Sequence, residues 1–233
     1  MEHSLAEAGS SAETMSQRQK TLRPALLTAC LCLFTQLLLA QEVLILSGHP
    51  SAKSLNAHLE SVLFTALEER GVAVQLRALR EIESIGHLDA QRWSDRAGVS
   101  QEAQIAAEQE FWRRAEHIIL LHPVWWWSMP APMKAYLDVV LSPGFAYPEG
   151  DASGPFALKG KSLSLIQTAG APDTYIEAEG LKEAYERLIR VGLCDFTQME
   201  FHSYLLFGGV MEKSPAEIAA LEEEIRAWVK EHF

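Results

Sequence analysis

The chain is poor in cysteine. Cys30, Cys32 and Cys194 are the only three among 233 residues, too few for a disulfide framework and without zinc-type spacing to other ligands. A reducing compartment, the cytoplasm, suits such a chain. Basic residues are also in deficit, with 20 Lys and Arg against 31 Asp and Glu and a net charge of −11. Residues 1 to 40 balance Glu2, Glu7 and Glu13 against Arg18, Lys20 and Arg23, so the whole deficit falls on residues 41 to 233. Such a surface repels a phosphate backbone and argues against a nucleic-acid partner. Several signatures are missing as well. There is no G-x-G-x-x-G, no G-x-x-x-x-G-K-[ST], no G-x-S-x-G, no H-E-x-x-H and no His/Cys/Asp cluster for a metal, which removes dinucleotide, triphosphate, serine-hydrolase and zinc-peptidase readings.

What is present is a globular composition, 48% hydrophobic and 22% charged, long enough to bury one full core. Residues 1 to 41 read as an extension and residues 42 to 233 as the folded domain. The extension has a polar start, then Arg18, Lys20 and Arg23, then the apolar run from Pro24 to Ala40. From Met15 onward that order resembles a signal or membrane anchor. An add-on helix is the competing reading, and Thr and Gln interrupt the run too often for a firm transmembrane helix.

After Ala40 the apolar spacing alternates. Val43 to Ser47 reads as a strand, and Leu55 to Arg70 repeats its apolar residues at helical spacing until Gly71 stops it. Strands at Val72 to Leu76, Ile118 to Val124, Ser162 to Ile166 and His202 to Phe207 alternate with helices at Glu102 to Ala115, Met129 to Leu141 and Glu177 to Val191. A last helix opens on S-P-A-E from Ser214 to Glu217, a capping box with proline in the first turn. Five strands alternating with helices predict an α/β fold: a doubly wound, five-stranded parallel sheet between two helical layers.

Ligands of such sheets bind beyond the carboxyl ends of the strands. Three loops fall there: G48-H-P-S-A-K-S-L-N56, W125-W-W-S-M129 and Q167-T-A-G-A-P-D-T-Y175. The first offers Ser51, Ser54 and Asn56 at a helix start that favours a phosphate, although Ser and Asn there are most often caps, and His49 in isolation is more often structural than catalytic. The second holds half of the six tryptophans. Three in a row point in different directions, so at least one faces a cleft or the surface. At a strand end they suit a flat, polarisable ligand such as an isoalloxazine ring, and they also suit a subunit interface.

The segments H49-P-S-A-K-S-L-N56, H122-P-V-W-W-W-S-M-P-A-P-M-K134 and G144-F-A-Y147, in that order, resemble the flavodoxin-like NAD(P)H:quinone oxidoreductases. That family includes DT-diaphorase, the modulator of drug activity B and the ancillary oxidoreductases of glutathione-gated potassium efflux systems. The resemblance runs from about Glu42 to Phe233. It implies a non-covalent flavin, FMN or FAD, with its phosphate at His49, Ser54, Leu55 and Asn56 and its ring against Pro123, Val124, Trp125, Trp126 and Trp127. Thr168, Ala169 and Gly170 would approach the pyrimidine edge, with Tyr175 beyond them. Trp126, Trp127 and Tyr175 would serve the transfer from NAD(P)H to a quinone-type acceptor, while Phe145 and Tyr147 would close the substrate pocket, in relatives across a homodimer interface. Two departures stand out. Q-T-A-G replaces the family's T-T-G-G and is expected to add the Gln167 side chain near the ring, and Leu181 stands where DT-diaphorase has a histidine. The efflux relatives keep a second reading open, a flavin-binding regulatory subunit docked on a membrane transporter.

Overall fold

A computed structural model describes residues 42–82, 85–95, 102–149 and 156–233. The extension and its apolar run therefore lie outside the described residues, as do Cys30 and Cys32. Five parallel strands form one sheet: β1 (Glu42–Ser47), β2 (Ala73–Ala78), β3 (His117–Pro123), β4 (Ser162–Thr168) and β5 (Glu200–Phe207). Their spatial order is β2-β1-β3-β4-β5. The chain builds outward from β1 to β2, returns to β3 on the other side, and so places its switch point between the carboxyl ends of β1 and β3.

Helices fill both faces because the strand side chains alternate. Val43, Ile45, Ile119, Leu121 and Ile166 face one layer, made by α1 (Leu55–Glu69) and the last helix (Pro215–His232). Leu44, Leu46, Ile118, Leu120, Leu163 and Leu165 face the other, made by α3 (Ala103–Arg114), α4 (Ala131–Val140) and α6 (Leu181–Ile189). β3 is buried along its whole length, which is why H-I-I-L-L-H-P reads as a continuous apolar run rather than an alternating one. In α1 the spacing of Leu59, Val62, Leu63, Ala66 and Leu67 puts all five on the buried stripe. Each larger side chain of that stripe contributes about 1.5–3 kcal/mol.

Most expected elements appear within a residue or two. A short helix α2 (Ala90–Ser94) was not expected; Asp89 caps it, its carboxylate accepting from the Arg92 N–H at 2.9 Å. The expected single helix from Glu177 to Val191 is instead three pieces. A one-turn α5 (Asp173–Ala178) stops at Gly180, whose φ of 61° is left-handed, α6 restarts at Leu181, and the chain widens into a π segment at Arg190–Asp195. Glycine permits that turn without a steric penalty, and the apolar period alone does not reveal it. The final helix α7 (Pro215–His232) carries the capping box its sequence announces, Ser214 and Glu217 satisfying each other's backbone N–H.

Candidate active-site cleft

A cleft of about 670 Å³ opens over the switch point, within the range of small-ligand sites. Its first wall is the loop between β1 and α1. Ser54 caps α1: its hydroxyl accepts from the Ala57 N–H at 3.1 Å and donates to the Ser51 carbonyl at 2.8 Å. Helix geometry leaves the N–H groups of Leu55 and Asn56 without intrahelical acceptors, aimed at the cleft with the positive end of the helix dipole. Ser51 donates its N–H to His49 Nδ1 at 3.0 Å. That bond needs a bare Nδ1, so the ring is neutral and carries its proton on Nε2. Burial, and after it the charge of Arg80, hold His49 below the ordinary histidine range. The result is a concentration of uncharged donors suited to an anion.

The floor comes from β3 and β4. Asn56 donates from Nδ2 to Thr168 Oγ1 at 2.7 Å, fixing the helix start to the end of β4. Asn56 Oδ1 is buried beside the cleft with no hydrogen-bond partner among the described residues, an acceptor that a ligand donor would satisfy. Val124 donates its N–H to the Thr168 carbonyl at 2.8 Å, which carries the β3 extension along the floor.

The second wall is a hairpin made from the tryptophans. Trp125 and Ser128 exchange both backbone hydrogen bonds, at 3.1 and 3.0 Å, so Trp126 and Trp127 are the two central residues of a tight turn. Both have positive φ, 54° and 50°, the condition of a type I′ turn, where Asn-Gly is the preferred pair. Trp125 is 42% exposed and stands edge-on to His49 at 5.8 Å, and Trp126 is 99% exposed at the cleft mouth.

A third side comes from the loop after β5. Ala169 donates its N–H to the Phe207 carbonyl at 2.8 Å, Val210 to the Ala169 carbonyl at 3.1 Å, and Gly209 to the Ala171 carbonyl at 2.7 Å. Gly208 donates to Asp173 Oδ1 at 2.9 Å. These bonds zip the post-β4 and post-β5 loops together and bring Val210 and Met211 to the cleft, Met211 being 83% exposed.

Of the residues singled out from the sequence, His49, Ser54, Leu55, Asn56, Pro123, Val124, Trp125, Trp126, Thr168 and Gly170 line this cleft, together with Ser51. Trp127, Ala169 and Tyr175 do not line it. Trp127 is half-buried in the hairpin turn, Ala169 is buried with its N–H spent on Phe207, and Tyr175 sits 52% exposed on α5. Phe145 is buried under the Arg113 guanidinium, and Tyr147 packs against Phe196 at 5.0 Å. Gln167 overturns its expectation. It is fully buried, and its side chain bonds His122 and Tyr204 on the far face of the sheet, because strand alternation gives the cleft side to Thr168. Val210 and Met211 were not foreseen; the available signal was Gly208-Gly209 closing the apolar run of β5.

Among the described residues no group of His, Cys, Asp or Glu could hold a metal ion, and no helix is long and apolar enough to cross a membrane. Cys194 is free and buried, and burial pushes its thiol up to about 12.

Comparison with known proteins agrees with this geometry. An NAD(P)H oxidoreductase of Haemophilus influenzae, described as uncharacterized, is 29% identical over 193 residues, covering 78% of this chain and 94% of its own. The NAD(P)H:quinone oxidoreductase of Methanothermobacter marburgensis superposes with a TM-score of 0.71 at 18% identity, covering 82% of this chain and 94% of that one. An FMN-dependent NADH-azoreductase of Bacillus anthracis, solved in complex with FMN, superposes with a TM-score of 0.60 at 14% identity, over 82% and 98% of the two chains. The family model described as flavodoxin-like fold matches residues 41–231. With the five parallel strands in the order β2-β1-β3-β4-β5 and the cleft at their switch point, the chain belongs to the flavodoxin-like fold family.

Proposed function

We propose that the chain is an FMN-dependent NAD(P)H oxidoreductase that passes two electrons to quinone-type acceptors. The observation that carries this reading is the pairing, in one cleft, of an uncharged anion cradle at the start of α1 with an aromatic hairpin at the end of β3. The N–H groups of Leu55 and Asn56, the Ser51 hydroxyl and His49 Nε2–H suit a phosphate monoester, and the orphaned Asn56 Oδ1 suits a donor on the chain or ring attached to it. Trp125 and Trp126 give the flat wall a ring system requires. Bound there, the flavin would supply the redox centre that accepts hydride from NAD(P)H and delivers it to the acceptor. The contribution of the chain's own residues is position: fixed donors on one side, stacking surface on the other, and an open mouth at Trp126 and Met211 through which two substrates exchange in turn. The relatives named above, an NAD(P)H oxidoreductase, a quinone oxidoreductase and an FMN-dependent azoreductase, support the same assignment.

The test is the absorbance spectrum of the purified protein. A flavin spectrum that bleaches with NAD(P)H and returns on adding a quinone is expected. A colourless protein that takes up no added FMN overturns the reading, and one that binds FMN without turnover belongs with binding proteins instead.

A further inference from the structure

Beneath the cleft floor runs a buried chain of hydrogen bonds that the proposed function does not use. Tyr204 on β5 donates its hydroxyl to Gln167 Oε1; Gln167 Nε2 meets His122 Nε2 at 2.9 Å; and His122 Nδ1 meets the carbonyl of Pro123 at 2.9 Å. Tyr185 on α6 packs beside the same group, its ring 6.3 Å from that of Tyr204. The direction of each bond follows from chemistry. A carbonyl only accepts, so His122 Nδ1 carries a proton; a neutral ring then has a bare Nε2, which must accept; and Gln167 must therefore turn its NH₂ to His122 and its oxygen to Tyr204. His122 is fully buried and Pro123 lies in the cleft floor.

We propose that Gln167, acting through His122, is a positioning residue for the aromatic wall. By holding the Nδ1–H tautomer it pins the Pro123 carbonyl away from the cleft, and so sets the direction in which Val124 leads to Trp125. The His122 backbone runs close to the end of β1, where a Cβ added to Gly48 would stand 3.2 Å from the His122 Cβ. In the other tautomer the Pro123 carbonyl has no donor and Nε2–H opposes the Gln167 NH₂. Burial keeps the ring neutral in the ordinary range of pH, since burial lowers it to about 4. The groups facing this chain are Tyr185 and Tyr204, with Lys182 over the Tyr204 ring at 5.5 Å and Glu183 and Glu186 acting on the same hydroxyl. None of them is a carboxylate bonded to His122, which is what lets the ring stay uncharged.

The proposal rests on the FMN reading only for its consequence, so its test begins without flavin. In ¹⁵N-histidine-labelled apoprotein between pH 6 and 8, His122 should show a protonated Nδ1 and a bare Nε2. In 5-fluorotryptophan-labelled apoprotein, Gln167→Leu should shift the Trp125 and Trp126 resonances and leave Trp93 and Trp228 in place. Tyr204→Phe, a milder change acting through the same carboxamide, should shift them in the same sense by less. Gln167→Glu, which sets a carboxylate against Nε2, should favour a doubly protonated His122 and make FMN affinity depend on pH over 5.5–8 more steeply than in the parent, where the phosphate alone titrates at about 6. The loss for Gln167→Leu should be about tenfold in FMN affinity, the worth of one hydrogen bond. A His122 protonated on Nε2 in the parent, or unshifted Trp125 and Trp126 resonances in Gln167→Leu, overturns the proposal. Failure of the parent to bind FMN overturns the flavin reading alone, because the tautomer and fluorotryptophan results are read without it.

Discussion

Trp126 and Trp127 occupy positive φ, at 54° and 50°, in a turn that costs a side-chain-bearing residue about 1–2 kcal/mol at each position. Strain of this kind at a cleft mouth is maintained where the site needs it. Trp126 is 99% exposed, so replacing it forfeits almost no buried area. Trp126→Gly is therefore expected to raise stability by about 0.5–1 kcal/mol, the relief of the turn less the greater freedom of an unfolded glycine, while NAD(P)H oxidation falls as the stacking wall is lost. Urea unfolding and steady-state turnover on the same preparation check both signs, and a variant less stable than the parent removes the strain argument. Trp127→Ala should cost less turnover than Trp125→Ala, since Trp125 and not Trp127 lines the cleft; the reverse order would return Trp127 to the ring. At this scale the sequence displayed which residues are unusual but not where they point. The W-W-W run gives no hint of a type I′ turn, because neither turn position holds the glycine or asparagine that normally announces one. Likewise Gln167 sits within a motif that resembles a cofactor loop, yet the two-residue period of β4 sends it to the opposite face.

The loops after β4 and β5 behave as one element. Gly208 is their narrowest point: a Cβ there would lie 2.3 Å from Asp173 Oδ1 and 2.9 Å from the Ala171 carbonyl oxygen. Gly208→Ala is thus expected to push the loops apart, lowering stability by about 1–3 kcal/mol and FMN affinity with it, since Val210 and Met211 leave the cleft. Thermal unfolding and an FMN titration would show it; a variant matching the parent in both would mean that the loops are not coupled. The strands and long helices were legible because their apolar periods, two and 3.6, are what the two buried layers require. The post-β5 wall was not, since two glycines and a pair of apolar residues carry no period. The break between α5 and α6 escaped because buried Tyr185 and Ile189, four apart, keep helical spacing on one side only; buried Ile176 lies nine residues before Tyr185, half a turn out of phase, and one apolar residue defines no period of its own.

For the whole molecule, the sheet closes its core from β1 onward, and Glu42 already pairs with Ala73. A chain beginning at Gln41 is expected to fold and take up FMN, which soluble expression and flavin content would test; an insoluble product would assign residues 1 to 40 a structural part. The fold also carries a built-in response to acid. His117 lies at the opposite end of the sheet from the cleft, bonded to Ser164 Oγ at 2.9 Å and flanked by His202 and Phe233. Burial first, then the charges of His202 and His232, lower it to about 3, while burial lowers His122 to about 4. An unfolded histidine titrates near 6.5. Because the folded values are depressed, the unfolded chain binds protons that the folded one refuses, and stability present above about pH 6.5 is lost as pH falls toward 4. Two refused protons correspond to a slope of up to about 2.7 kcal/mol per pH unit in that window. Most carboxylates titrate below it, so the slope belongs chiefly to the histidines. Urea unfolding from pH 7.5 to 5 should show stability declining with acid, and His117→Gln, which keeps a partner for Ser164 without a titrating ring, should make the decline shallower, the remainder belonging to His122 and to His49 and His202, which burial also lowers. An unchanged slope in that variant would mean that His117 is protonated within the fold, and that the packed ring cluster of His117, His202 and His232 holds a charge which its burial argues against.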